Sequence, residues 1–482
     1  MTLRCLLAVT GLMALTACAS TSPKAAVQDT SALIKSRSGH DITWFGDESD
    51  DAAQKQVSTL LRSDLDLANA IRISLLANRH LQSLYEELGI AQADLVQAGL
   101  LKNPRFDATY DFPLDHGYAY QFGFVTDLLQ LITMGSRKEI ARAALEGAKY
   151  RIAGEVLHHI YEVKSAYFAL QAAQQTSAMR QIVSDAAHAA AELAKRQHEA
   201  QTISDLDLAN EETLYASTLT ELRRAQSDVV VARERLTRLM GVSGSDADWV
   251  ATAKLDEIPP EQPNVDDIES TAIAARYDLL AARKDVQVVS YGLSLAKKTR
   301  WTGVVDVGID FHREPEGVRL IGPSMSVELP IFDQGQATIA RIEAQLRRAK
   351  SRERALTTDI RSEVRELVAR LSAVRALVED YRQTLVPLRT KVVALSQQRY
   401  NAMLAGAFEL LIAKQNEVNT YREFIDVVRD YWTRRAELEW KAGGALKADV
   451  SPTPKNEPPK TEPPKTDDIA PPGEHHHEHH AP

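Results

Sequence analysis

The sequence predicts a mainly α-helical chain that lends four β-strands to a membrane β-barrel completed by other copies. Three observations predict this. Long Ala-, Leu-, Glu-, Arg- and Gln-rich stretches carry helical periodicity. Two short segments switch to a strict period of two. The whole plan of helix, β-hairpin, long helix and helix occurs twice, about 200 residues apart. The chain has 482 residues, 44% of them hydrophobic and 26% charged, with a net charge of −9. The acidic balance gives no reason to expect nucleic-acid binding. Beyond the N-terminus no apolar run approaches the ~20 residues of a transmembrane helix.

The first element is an export signal. Arg4 supplies the charge, Leu6 to Leu15 the apolar core, and small residues follow. Leu15-Thr16-Ala17-Cys18 resembles a bacterial lipobox, which implies residues 1–17 as a lipoprotein signal peptide and Cys18 as a lipid-modified N-terminus. Ala17-Cys18-Ala19 also fits ordinary signal cleavage. Ala19, where a retention signal would place Asp, implies an outer membrane. Cleavage removes Cys5 and leaves no cysteine pair for a disulfide. Residues 18–63 read as an extended leader or tether.

The first repeat spans 64–240. Leu67, Ile71, Leu75, Leu81, Leu84, Leu88, Ala91 and Leu95 mark a helix that ends at Asn103-Pro104. In "RFDATYDFPL", Phe106, Tyr110 and Phe112 alternate with Asp107 and Asp111, as a strand with one apolar face requires. Asp115-His116-Gly117 forms the turn, and "YAYQFGFVTDLL" returns. A helix from Gly135 to about Arg196 makes a rod of about 90 Å. "HEAQTISD" breaks it, and Ser204 or Asp205 caps a helix to Met240. Residues 241–265, with Pro259, Pro260 and Pro263, read as a linker.

The second repeat spans 266–444. A helix to Thr299 leads into "GVVDVGIDFH", where Val305, Val307, Ile309 and Phe311 alternate with Asp306 and Asp310. "EPEG" turns the chain and "VRLIGPSMSVELP" returns. A helix from Gly335 to Arg399 contains Pro387, which should kink it. "NAMLAGA" breaks it before the last helix. Residues 445–482 read as a disordered Pro/Lys/Glu tail with a His-rich end.

Strands of about ten residues suit a tilted crossing of an outer membrane. Four strands cannot close a barrel, and open edges in lipid leave backbone groups unpaired. Strands must therefore be pooled. Three copies give twelve strands, with Phe106, Tyr110, Phe112, Val305, Val307, Ile309 and Phe311 toward lipid and Asp107, Asp111, Asp306 and Asp310 toward a water-filled lumen.

With these elements in place, "AIRISLLANRHLQSLYEELGIAQADLVQAGLLKNPRF" (Ala70–Phe106) and "SVELPIFDQGQATIARIEAQLRRAKS" (Ser326–Ser351) resemble the TolC family of outer-membrane efflux channels. The resemblance implies a homotrimer with a 12-stranded barrel continued by a helical periplasmic tunnel. Its partners would be outer-membrane lipid, a periplasmic adaptor protein and an inner-membrane pump. The channel itself would do no chemistry. It also implies that the two helix breaks are periplasmic tips, and that Glu409 in "FELLIA" stands at an acidic ring around the closed aperture. Ile412 stands where a second Asp occurs in the family.

"EPEGVRLIGPSMSVELPIFDQGQ" is similar to the family's metal-efflux branch. His475, His476, His477, His479 and His480 could loosely chelate a divalent metal, and no other cofactor is expected beside the lipid on Cys18. Metal-ion efflux is the first expectation for cargo; drugs or other small molecules are the second. An enzyme lacks support, since Ser294–Lys297 matches S-x-x-K in mid-helix without companion motifs. A periplasmic coiled-coil adaptor would share the helical hairpins but not the paired strands.

Overall fold

A computed structural model describes residues 21–45, 50–112, 118–252, 254–260 and 267–446. Cys18, the Asp115–Gly117 turn and the histidines 475–480 lie outside the described residues.

The chain builds α1 (Lys24–Ser38), α2 (Asp50–Leu60), α3 (Leu67–Ala77), α4 (Arg79–Ala98), β1 (Arg105–Asp111), β2 (Ala119–Asp127), α5 (Leu128–Glu199) and α6 (Asp205–Met240). The second half repeats the order with α7 (Ile268–Ala275), α8 (Tyr277–Thr299), β3 (Val305–Arg313), β4 (Arg319–Val327), α9 (Gln336–Asp380), α10 (Val386–Asn401) and α11 (Ala407–Lys441).

α5 holds 72 residues without proline, about 108 Å of rod, and Asp127 caps its start by accepting from Gln130 N–H. Its buried Ile152, Val156, Ile160, Val163, Tyr167 and Leu170 recur at three- and four-residue steps. That is the seam of a coiled coil, here packed on α6, α8 and α11. α6 starts with a capping box in which Ser204 and Asp207 satisfy each other's backbone N–H.

The repeats match to fine detail at their far ends. Gln201 (φ 57°) and Met403 (φ 58°) take the left-handed conformation. Around them Ala200, Gln201 and Thr202 donate to Arg196, His198 and Gln197. Ala402, Met403 and Leu404 donate to Gln398, Tyr400 and Arg399. The offset is 202 residues throughout. The second rod differs at one point. A π-turn, Tyr381–Leu385, sits just before Pro387. The missing proline N–H therefore coincides with a widened turn.

The stretch expected to be an extended tether is not one. It folds into α1 and α2. Ala26, Val27, Thr30 and Ile34 of α1 are buried. Lys149 of α5 reaches Asp29 at 2.8 Å, and Tyr277 Oη donates to Leu33 O at 2.7 Å. α1 thus stitches both repeats together, and such contacts to residues remote in sequence are what hold it. The expected linker is likewise seated in the core. Leu65 and Ala251 form a parallel bridge, and Trp249, Leu255 and Ile258 are buried.

Each repeat's opening helix breaks once, at Asn78 or at Arg276. Asn78 Oδ1 accepts from His80 and Leu81 N–H, while its Nδ2 donates to Leu239 O at 2.8 Å. Gly241 (φ 73°) packs so closely here that a Cβ would lie 2.6 Å from Asn78 Cα. The Leu239 carbonyl also takes a hydrogen bond from the His159 ring. His159 is buried and its Nε2 has no partner. Burial first, then the neighbouring His158, push its pKa down from 6.5 to about 4; the Leu239 carbonyl opposes this and His80 adds to it.

A depressed imidazole contributes stability above pH 6.5, where both states are neutral, and loses it as pH falls toward 4. The loss is expected to reach about 2 kcal/mol at pH 5. His159→Leu should flatten the difference between unfolding midpoints at pH 5 and pH 7.5. An unchanged difference in the variant would contradict this assignment.

Candidate functional site: a two-faced sheet on a helical rod

The four strands form one antiparallel sheet in the order β1-β2-β3-β4. Registers place Phe106 opposite Phe124, Phe124 opposite Ile309, and Ile309 opposite Pro323. Two residues further along, Phe122, Phe311 and Ile321 align. Val305, Val307 and Tyr110 share this face by parity, and Phe112 follows Tyr110 just beyond β1, with ring centroids 4.6 Å apart. Aromatic rings tile it: Phe106–Phe124 at 5.0 Å, Tyr120–Phe122 at 5.3 Å and Tyr120–Phe311 at 6.0 Å. Ile309 is 58% exposed and Ile321 75%, so none of the described residues covers the patch.

The opposite face carries Asp107, Asp111, Asp127, Asp306 and Asp310. Arg105 lies 3.1 Å from Asp107 and 4.0 Å from Asp306. Gly123 stands opposite Asp310, and a Cβ there would meet Asp310 Oδ1 at 2.5 Å, so glycine makes room for this carboxylate. All four expected aspartates are thus brought to one face and the expected apolar residues to the other. Among the described residues β1 and β4 remain as unpaired edges.

Sequence reasoning missed the ends of the apolar band. The Arg313 guanidinium lies 3.8 Å over the Tyr118 ring, beside Tyr110 and Tyr120. At the other end Arg300 lies 4.5 Å over the exposed Trp301. Amphipathic rings with cations therefore stand at both ends of the apolar band, an arrangement that suits a membrane's two interfaces. The string "KKTRW" just before β3 was the available signal.

Glu409 sits in the first turn of α11, half exposed, and pairs with Arg399 across the turn at 3.2 Å. The matching turn is closed by His198 Nε2 and Asp205 Oδ1 at 2.6 Å. Among the described residues no group of three His, Cys, Asp or Glu could hold a metal ion, and no helix is long and apolar enough to cross a membrane.

No protein-family model matches the sequence, and no curated protein does. Solved structures do. A membrane protein from Pseudomonas aeruginosa superposes with a TM-score of 0.68 at 18% identity, over 79% of this chain and 93% of that one. The outer-membrane channel OprN gives 0.66 at 15% identity, over 86% and 95%. CusC, described in terms of transmembrane channel formation, gives 0.66 at 13% identity, over 80% and 94%. The chain therefore has the fold of the TolC-like outer-membrane efflux channels, a helical rod carrying the strands of a barrel.

Proposed function

We propose that this chain is the outer-membrane exit duct of a tripartite efflux system. Three copies pool their strands into a 12-stranded barrel in the outer membrane. The rods below form a tunnel into the periplasm and meet a periplasmic adaptor and an inner-membrane pump. The duct is passive, not an enzyme, and the pump supplies the energy. Cys18 carries the lipid that anchors the assembly. The observation that carries this reading is the open sheet with one apolar and one acidic face, standing on a rod of about 108 Å. Such a sheet satisfies its edges and both faces only in a closed barrel in lipid.

Asp107, Asp111, Asp306 and Asp310 then line the lumen, while Phe106, Tyr110, Phe112, Val305, Val307, Ile309 and Phe311 face lipid. Glu409 stands near the periplasmic aperture. An acidic lumen favours cations, and with the His-rich end it supports divalent metal ions as cargo.

The first test is the mass of the protein extracted from outer membranes in mild detergent. A trimer that falls to a monomer on heating is expected; a water-soluble monomer absent from that membrane would overturn the reading. In planar bilayers the trimer should conduct with cation preference. Asp107→Asn with Asp306→Asn should lower the cation-to-anion permeability ratio severalfold. A ratio that stays constant would remove these aspartates from the lumen. Metal, rather than drug, hypersensitivity of a deletion strain checks the cargo.

A further inference from the structure

The β3–β4 hairpin turns at Glu314–Gly317, on the end of the sheet away from the rod, because α8 and α9 adjoin the other ends, Val305 and Val327. Gly317 (φ 94°) donates its N–H to Glu314 O, and Glu314 N–H donates to Val318 O, which closes the turn. Just inside it the register sets Arg313 directly opposite Arg319. Both lie on the face of Ile309 and Phe311, since sides alternate along a strand. Like charges directly opposite each other on paired strands repel. Among the described residues neither guanidinium has an ion pair to offset this. Glu314, next in sequence, lies 3.8 Å from His312 on the other face.

The cations are placed, not loose. The Arg313 guanidinium lies 3.8 Å over the Tyr118 ring, which stacks with Tyr110 at 6.0 Å and with Tyr120 at 6.2 Å. Arg313 Nε is shielded from solvent and has no hydrogen-bond partner. Arg319 is exposed. Below the pair, Ile321 and Met325 continue the same face of β4 and are 75% and 72% exposed. From Arg319 to Met325 the strand runs about 20 Å, or about 14 Å of depth at a tilt of about 45°, which matches one leaflet's hydrocarbon at about 15 Å.

We propose that Arg313 and Arg319 form a binding site for a phosphate carried by an outer-leaflet lipid, with the Ile321–Met325 face receiving its acyl chains. Arginine suits this ligand because its planar fork meets two phosphate oxygens at once. A bound phosphate turns the repulsion between two facing cations into a shared attraction. The setting selects a lipid over a free anion, because only a lipid uses the cation pair and the apolar face together. The site rests on the channel reading, which places the tip of the sheet in the outer leaflet.

The experiment uses the trimer of the full chain, extracted in mild non-ionic detergent, stripped of lipid and followed by native mass spectrometry. Three probes are titrated: lipid A with its phosphates, the same lipid A with them removed, and inorganic phosphate. The phosphorylated lipid is expected to bind at least about tenfold tighter than the dephosphorylated one, as charged hydrogen bonds imply. Arg313→Gln with Arg319→Gln should erase that ratio. Lys102→Gln with Lys298→Gln, the same change of charge on exposed residues at the rod end of the sheet, should keep it. Arg319→Gln alone leaves the Arg313–Tyr118 contact in place and serves if the double variant does not assemble. Equal affinity of the parent trimer for both lipids, or an unchanged ratio in the arginine variants, would overturn the site. Inorganic phosphate binding as tightly as the lipid would overturn the lipid as its ligand. A parent chain that forms no trimer would overturn the channel reading and the site with it, a result distinct from a trimer that ignores the phosphates.

Discussion

Ile309→Arg is expected to abolish the outer-membrane trimer, whereas Gln121→Arg leaves it assembled. Ile309 lies at the centre of β3, between Phe124 and Pro323, on the face tiled by aromatic rings. If that face meets lipid, a guanidinium there sits near the bilayer midplane and costs about 2–4 kcal/mol per copy. Three copies make about 6–12 kcal/mol, comparable with the whole stability of many folded domains. Gln121 lies on the opposite face, opposite His312 in the register. There an arginine meets water and carboxylates, so the same charge is tolerated. The readout is the heat-sensitive trimer band from outer-membrane fractions. Trimer loss in both variants would mean that the sheet tolerates no charge on either face. Survival of both would mean that the Ile309 face does not contact lipid. Only the split result fits a barrel wall.

That face assignment was legible in the sequence because a period of two leaves little freedom. Once Phe106 and Ile309 are placed on one face, Asp107 and Asp310 must lie on the other, and a register slip would reverse every residue at once. The duplication was legible because its landmarks, Gly135 with Gly335 and the two helix breaks, recur about 200 residues apart. α1 was hidden for a physical reason. Its buried positions are Ala26, Val27, Thr30 and Ile34, mostly small and one of them polar. No apolar stripe advertises it, and its partners Lys149 and Tyr277 lie over a hundred residues away. The breaks at Asn78 and Arg276 carry neither Gly nor Pro; the capping preference of Asn78 was the local signal for the first, and Arg276 offered none. The Arg399–Glu409 pair spans ten residues across a turn and becomes visible only when the turn's shape is known.

Arg276→Ala is expected to destabilise the protein by about 2–3 kcal/mol. The two repeats make the same break by different chemistry, which explains why one residue matters so much. Asn78 caps the first break with its own side chain. Arg276 forms no side-chain cap hydrogen bond. Instead its buried guanidinium donates from Nε and Nη2 to both oxygens of Asp278, at 3.1 and 2.6 Å, and from Nη1 to Glu363 of α9 at 2.7 Å. Lys441, at the end of α11, reaches the same Glu363 at 3.2 Å. Arg276 thus ties the α7–α8 break to α9, and Lys441 joins the last helix to the same carboxylate. Removing one partner of a fully buried pair costs about 3–5 kcal/mol, and the partial exposure of Asp278 and Glu363 brings the figure down. Burial would raise the Glu363 carboxyl, but the hydrogen bond from Arg276 and the charges of Lys441 and Arg276 hold it below the usual range. Its contribution is therefore present at neutral pH and lost in acid, as pH falls through the depressed value. Arg276→Lys keeps the charge without the fork, and should recover only part of the loss. Unfolding midpoints of the three proteins at pH 7.5 decide the matter. If Arg276→Ala falls within about 0.5 kcal/mol of the parent, as ordinary surface changes do, the junction does not depend on this cation.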